Sequence, residues 1–170
     1  MGYNLSIFKT FKKPYVLILV GPPLCGKSTF CNEYMEKVDK DVVIISRDAI
    51  MLSLHHNDDY DQAYDAVNPK EINRVLREQI MDAAKNSKNV IMDMTHMVPK
   101  RRIGNISYFS KKYFKAAVVF PFPTEEEIAI RNQKRILNEN KSISASTMKQ
   151  MLDIYRPVDK SEGFDKIVYL

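Results

Sequence analysis

Short apolar runs recur along the chain, and longer segments with helical periodicity separate them. Each run is four to six residues long and contains Val or Ile. Apolar runs of this length, without regular polar alternation, are typical of parallel strands that are buried on both faces. The pattern therefore predicts a five-stranded parallel sheet, with strands at 15–20, 41–46, 89–93, 116–120 and 167–170.

Helix signals occupy the segments between these runs. Asn68 and Pro69 suit a cap and a first helical position, and Thr124 and Ser144 suit two further caps. The predicted helices cover 27–37, 69–85, a segment that begins at Pro99, 124–137 and 144–155. Because strands and helices alternate throughout, we expect a single α/β domain over residues 1–170 with helices on both faces of the sheet.

Three segments lie outside this alternation. Residues 1–14 are interpreted as an N-terminal leader that docks loosely on the domain. Residues 53–66 are rich in Asp, Tyr and His and predict a loop with some helical character. Residues 138–143 predict a polar turn between two helices.

Composition narrows the class of protein only modestly. A length of 170 residues suits one domain with a substantial core. The formal net charge of +5 is compatible with an anionic partner such as nucleic acid or nucleotide, but many basic proteins bind neither. Cys25 and Cys31 have no zinc-like spacing with His, and no stretch is long enough to span a membrane. We therefore expect reduced thiols, no membrane partner and a cytoplasmic location.

Residues 21–29 carry the strongest chemical signal in the chain. Their order, Gly-Pro-Pro-Leu-Cys-Gly-Lys-Ser-Thr, fits the phosphate-binding pattern G-x-x-x-x-G-K-S. The motif follows an apolar strand and precedes a helix, which is the context in which backbone N–H groups can surround phosphate oxygens. Lys27 is expected to reach the β- and γ-phosphates of ATP, and the Ser28 hydroxyl is expected to hold Mg²⁺.

Two carboxylates follow the next two predicted strands. Asp48 comes after Ser46 and Arg47, and Asp93 ends the third apolar run. Ligands of parallel sheets collect at the carboxyl ends of strands. Either Asp could position Mg²⁺ or its waters, or could accept a proton from an attacking hydroxyl. The structural alternative is an Asp that only caps the next helix.

Basic residues in the fourth predicted helix suggest a lid. Arg131 and Arg135 are four residues apart and therefore share one helix face. A guanidinium can donate two hydrogen bonds to a transferring phosphoryl group, so residues from about 131 to 147 are interpreted as a lid over ATP. The alternative is a solvated basic face.

Likewise, Lys100, Arg101 and Arg102 could either contact a substrate phosphate or lie on an ordinary surface.

Taken together, these motifs resemble the kinase domain of phage-type polynucleotide 5′-kinases, which have a P-loop kinase fold. The resemblance covers nearly the whole chain after residue 14 and, because nothing follows Leu170, implies the kinase domain alone. It implies ATP and Mg²⁺ as cofactors and a 5′-hydroxyl end of DNA or RNA as the acceptor. The nucleotide-binding residues that it implies are Gly21, Gly26, Lys27, Ser28, Thr29 and Arg131. It also implies Asp48 as the general base and Arg135 at the transferring phosphate, with Arg47, Asp93 and Thr95 on the acceptor side.

One position departs from this family. The phage enzymes place a phosphate-binding arginine three residues after the aspartate, where this chain has Met51. A thioether cannot bind a phosphate in that way, so another basic residue replaces the arginine or the acceptor differs. Two alternatives therefore stay open: a kinase of a small hydroxyl acceptor, such as a nucleoside or a hydroxymethylated base, and a nucleotide-dependent switch that hydrolyses ATP slowly.

Overall fold

A parallel five-stranded sheet forms the centre of the protein. The computed structural model describes residues 2–56, 59–139 and 141–170. The strand order is β2-β3-β1-β4-β5, and all the neighbouring strands are parallel. The strands are β1 Tyr15–Val20, β2 Val43–Ser46, β3 Val90–Asp93, β4 Phe114–Val119 and β5 Lys166–Tyr169. The predicted α/β class is thus confirmed, and strand bounds differ from the prediction by at most two residues.

Helices cover both faces of this sheet. Alternate side chains of β1 enter two different hydrophobic clusters, Leu17 and Leu19 on one side and Val16 and Ile18 on the other. The first cluster receives residues of α1, and the second receives residues of α4 and α5. The helices are α1 Lys27–Lys37, α2 Arg47–His55, α3 Tyr60–Ala66, α4 Pro69–Lys85, α5 Pro99–Ile106, α6 Glu125–Glu139 and α7 Ala145–Ile154.

The polar stretch at 53–66 is more helical than predicted. The end of α2 and the whole of α3 lie within it, and Asn57 and Asp58 lie outside the described residues. The Ser46 side chain accepts a hydrogen bond from Ala49 N at the start of α2, and Asp59 similarly caps α3. A third hydrophobic cluster then joins α2, α3 and α4 through Ile50, Met51, Ala63 and Ile72.

The leader is firmly packed, so the expectation of loose docking was wrong. Phe8 is 2% exposed and belongs to the cluster that also contains Phe30 and Tyr34 of α1. A short 3₁₀ helix, Ser6–Thr10, places Phe8 there. The Tyr3 ring meets the rings of Phe30 and Phe120 edge-on, at centroid distances of 5.5 and 6.0 Å. This segment consequently supports the helix that follows the phosphate-binding motif.

A buried ion pair anchors the chain that leaves β3. Arg102 is fully buried, and its Nε and Nη2 donate to the two carboxylate oxygens of Glu162 at 2.6 and 2.7 Å. Its Nη1 donates to the backbone carbonyl of His96 at 2.9 Å. Arg102 is therefore a structural residue, and the suggestion that it contacts a substrate phosphate was wrong. Lys100 and Arg101 are exposed in the first turn of the same helix.

Candidate active site

The phosphate-binding loop connects β1 to α1, as the sequence predicted. Gly26 has φ of +100°, a conformation that favours glycine, and a Cβ there would collide with the Tyr3 hydroxyl. A Cβ at Gly21 would lie 2.7 Å from Cys25 Sγ. Lys27 Nζ donates to the carbonyls of Gly21 and Pro22 at 3.0 and 2.6 Å, so its ammonium lies against the loop itself. The close approaches that a Cβ would make at Gly21 and at Gly26 require small residues at both positions.

Ser28 and Thr29 occupy the exposed first turn of α1. The partial positive charge of a helix N-terminus favours an anion at this point. The arrangement fits Mg²⁺ chemistry, because Mg²⁺ commonly takes one or two protein oxygens together with substrate phosphates and water. Ser28 supplies such an oxygen. Among the described residues, no group of three or more His, Cys, Asp or Glu side chains could hold a metal by itself.

The two predicted aspartates lie at neighbouring strand ends. Asp93 ends β3 and pairs in register with Ser46, and Asp48 follows Ser46 in the first turn of α2. Burial raises the pKa of Asp93, and the charge of Asp48 raises it further, while the ammonium groups of Lys27 and Lys141 oppose this shift. These four groups are thus near enough to interact electrostatically across one edge of the sheet.

Arg131 reaches from α6 to the phosphate-binding loop. Its Nη1 donates to the backbone carbonyl of Leu24 at 2.7 Å, and its Nη2 pairs with Glu127 at 3.0 Å. Arg135, one turn further, has its Nε 3.5 Å from Glu139. The Nη1 atom of Arg135 is buried and has no hydrogen-bond partner within the described part of the chain. A buried guanidinium N–H in this position suits an anionic ligand, which fits the ATP phosphates expected here.

Lys141 is a site residue that the sequence analysis missed. Its Nζ lies 2.5 Å from Asp48 Oδ2 and 3.8 Å from the centre of the Tyr60 ring. The Tyr60 hydroxyl in turn donates to Asp48 Oδ1 at 3.4 Å. Burial lowers the pKa of Lys141, although the contact with Asp48 opposes this effect. Lys141 lies in a turn without regular structure, so neither periodicity nor a motif could have identified it.

Arg47 and Thr95 make contacts other than the acceptor contacts that were expected of them. Arg47 Nη1 donates to Asn73 Oδ1 on α4, rather than to the neighbouring Asp48. Thr95 contributes its backbone carbonyl, which accepts a hydrogen bond from Gly21 N at 3.0 Å. Met51 is 5% exposed in the third hydrophobic cluster. Met51 is therefore a core residue of the cluster that joins α2, α3 and α4.

Three features together define a P-loop kinase-type domain. The parallel sheet carries a P-loop after its first strand, carboxylates lie at the ends of neighbouring strands, and an arginine-bearing helix contacts the loop. The chain belongs to the AAA domain family, whose family model matches residues 16–158. No curated protein matches the chain at a significant level. No helix among residues 2–56, 59–139 and 141–170 is long and apolar enough to cross a membrane.

Solved structures support this assignment. A chain of the Pnkp1/Rnl/Hen1 RNA repair complex is 26% identical with a TM-score of 0.69, and the match covers 85% of this chain and 45% of that one. A fungal RNA kinase is 17% identical with a TM-score of 0.57, over 92% and 73% of the two chains. A gluconokinase from Sinorhizobium meliloti 1021 is 11% identical with a TM-score of 0.56, over 94% and 83%.

The likeness to the fungal RNA kinase and to the gluconokinase concerns the fold alone. This chain spans less than half the length of the chains that it matches in the RNA repair complex. The resemblance to P-loop kinases of the polynucleotide kinase type is nevertheless confirmed at the level of the kinase domain.

Proposed function

We propose that this protein is an ATP-dependent kinase that transfers the γ-phosphoryl group to the 5′-hydroxyl end of DNA or RNA. The observation that carries the proposal is the position of Asp48. Its carboxylate is half-exposed in the first turn of α2, directly after the edge strand β2, and contacts Lys141 from the segment between α6 and α7. A carboxylate at this place can receive the proton of an acceptor hydroxyl that attacks a phosphate held by the loop.

In the proposed reaction, the acceptor oxygen forms a bond to the γ-phosphorus as its proton passes to Asp48. The bond between that phosphorus and the β–γ bridging oxygen breaks, and ADP leaves with the electron pair. Lys27 and Arg135 stabilise the charge that spreads over the phosphoryl oxygens, and Arg131 fixes the P-loop backbone through Leu24. Mg²⁺, when bound through Ser28, supplies further charge neutralisation at the β- and γ-phosphates.

On the acceptor side, we propose that Arg47, Asp93 and Thr95 contribute to substrate binding. A polynucleotide acceptor is favoured over a small one by two observations. The net charge is +5, and the chain is 26% identical to a chain of an RNA repair complex over 85% of its own length. We further propose that residues from about 131 to 147 act as a lid and that residues 1–170 form one kinase domain.

Transfer of label from γ-labelled ATP, in the presence of Mg²⁺, tests this function. The acceptors are a 5′-hydroxyl DNA oligomer, an RNA oligomer, a 3′-mononucleotide and a nucleoside. We expect label on the oligomers and a loss of about 10²–10⁴-fold for Asp48→Asn, the usual contribution of a general base. Asp82→Asn is a matched control, because Asp82 is exposed on α4 and its side chain accepts a hydrogen bond from Asn86 on the same face.

Other results would overturn the proposal in distinguishable ways. Label on the nucleoside alone indicates a small-acceptor kinase. ATP hydrolysis that survives Asp48→Asn but is abolished by Lys27→Ala, with no labelled acceptor, indicates a nucleotide-dependent switch.

For a polynucleotide acceptor, the apparent affinity should also fall steeply as salt increases, because binding releases counterions from the phosphates.

A further inference from the structure

The contact between Lys141 and Asp48 occupies the carboxylate that the proposed reaction needs. One carboxylate oxygen of Asp48 lies against the ammonium of Lys141, and the other accepts a weaker bond from the Tyr60 hydroxyl. The proton that Asp48 receives from an acceptor hydroxyl neutralises its carboxylate, so Lys141 loses its counter-charge in that step. The ion pair is thus part of the acceptor site and must change during each turnover.

Moving the Lys141 ammonium away from Asp48 has an electrostatic cost. That cost depends on which group then lies beside the ammonium in place of the Asp48 carboxylate. The Lys141 side chain is only 11% exposed, whereas that of Asp48 is 50% exposed. Arg135 lies close enough to act on Lys141 unfavourably, and Glu139 offers partial compensation. The Tyr60 ring covers the ammonium at 3.8 Å and replaces only a part of the lost attraction. A largely buried ammonium that leaves its carboxylate therefore requires another anion nearby.

We propose that Lys141 is a positioning and specificity-determining residue that holds Asp48 until an acceptor with a phosphate close to its reactive hydroxyl displaces it. The hydroxyl takes the place of the ammonium on Asp48, and the ammonium moves to the phosphate of the acceptor. A nucleoside supplies the hydroxyl but no anion, so it leaves Lys141 without a counter-charge. This inference rests on the proposed kinase function and specifies which acceptors that kinase selects.

Neighbouring residues do not offer the same exchange. Met51 is enclosed in the third hydrophobic cluster, and Arg47 is joined to Asn73 on α4. Arg131 contacts the P-loop carbonyl of Leu24. Lys141, in contrast, contacts Asp48 directly, so the energy needed to separate the two depends on the charge of the acceptor.

Steady-state kinetics with a 3′-mononucleotide and the matching nucleoside test this selection. For Lys141→Met, we expect kcat/KM to fall about tenfold on the mononucleotide, the equivalent of one charge-assisted hydrogen bond, mainly through KM. On the nucleoside it should rise, because no ion pair has to be broken. Lys141→Arg should recover part of the preference. Lys149→Met, at an exposed position on α7, is the matched control. An unchanged preference in Lys141→Met overturns the proposal.

Hydrogen exchange on the substrate-free protein tests the contact without any activity. Asn132 holds the turn at Ile143 through two hydrogen bonds of 2.9 and 3.0 Å, so the Ile143 amide reports on this segment. We expect faster exchange at Ile143 in Lys141→Met and in Asp48→Asn, and no additional increase when both substitutions are combined. Unchanged exchange in both variants overturns the proposal. If the wild-type protein phosphorylates no acceptor, the proposed function fails, whereas the exchange result still decides whether Lys141 holds Asp48.

Discussion

Replacing Arg102 by Met should strongly destabilise the protein, although Arg102 lies far along the chain from the P-loop. Its guanidinium is fully buried and donates to Glu162, His96 and Pro157. Arg102→Met leaves the Glu162 carboxylate, itself only 5% exposed, without its cation. Breaking a buried ion pair by removing one partner costs about 3–5 kcal/mol. The total stability of a domain is about 5–15 kcal/mol, so this loss is a large share.

Urea unfolding followed by circular dichroism measures this loss. With a urea m-value of about 2 kcal/mol/M, the midpoint should fall by about 2 M. Arg101→Met is the matched control, because Arg101 is the preceding residue on the same helix and is exposed. Its free energy of unfolding should change by about 0.5 kcal/mol or less. If Arg102→Met stays within about 1 kcal/mol of the control, the buried pair is not the anchor described above.

Three further measurements address the remaining contacts. Burial lowers the pKa of His96 to about 4, so the unfolded chain binds a proton that the folded one does not between that value and about 6.5. The free energy of unfolding should therefore fall by about 3 kcal/mol as the pH is lowered through this range, and His96→Asn should flatten the slope in urea titrations. Gly26→Ala should raise the KM for ATP, because φ of +100° at this position disfavours a side chain. Gly104→Ala should instead raise the urea midpoint, because its Cβ meets nothing within 4 Å and Ala favours the helix more than Gly does. Arg131→Ala should weaken ATP binding by about tenfold through loss of its hydrogen bond to a P-loop carbonyl; equal affinity in calorimetric titrations would contradict this role.

The sheet was predictable because each of its strands is a compact apolar run. The P-loop and its helix were equally clear, since the motif and its flanks agree. The burial of Arg102 could not be predicted, because it follows two exposed cations, Lys100 and Arg101, and only its partner, 60 residues further on, explains its burial. The packing of the leader could have been foreseen from its aromatic residues, Tyr3, Phe8 and Phe11.

The acceptor side was less accessible from the sequence. The segment from Arg47 to Ala66 contains many polar residues, and its helices combine caps at Ser46 and Asp59 with packing in the third hydrophobic cluster. Lys141 is 93 residues from Asp48, so only the folded chain brings them together. That Asp48 acts as the base and Arg135 contacts the transferring phosphate stays a prediction, which the kinetic variants are designed to test.

The third hydrophobic cluster has a consequence for how acceptor preference can diverge. Ile50, Met51, Ala63 and Ile72 pack among α2, α3 and α4, apart from the two clusters that cover the sheet. Substitutions inside this small core can tilt α2 and shift its first turn without disturbing the strands or the P-loop. Repacking a few aliphatic side chains could therefore change which acceptor the protein prefers. The residues that are proposed to bind ATP would stay the same.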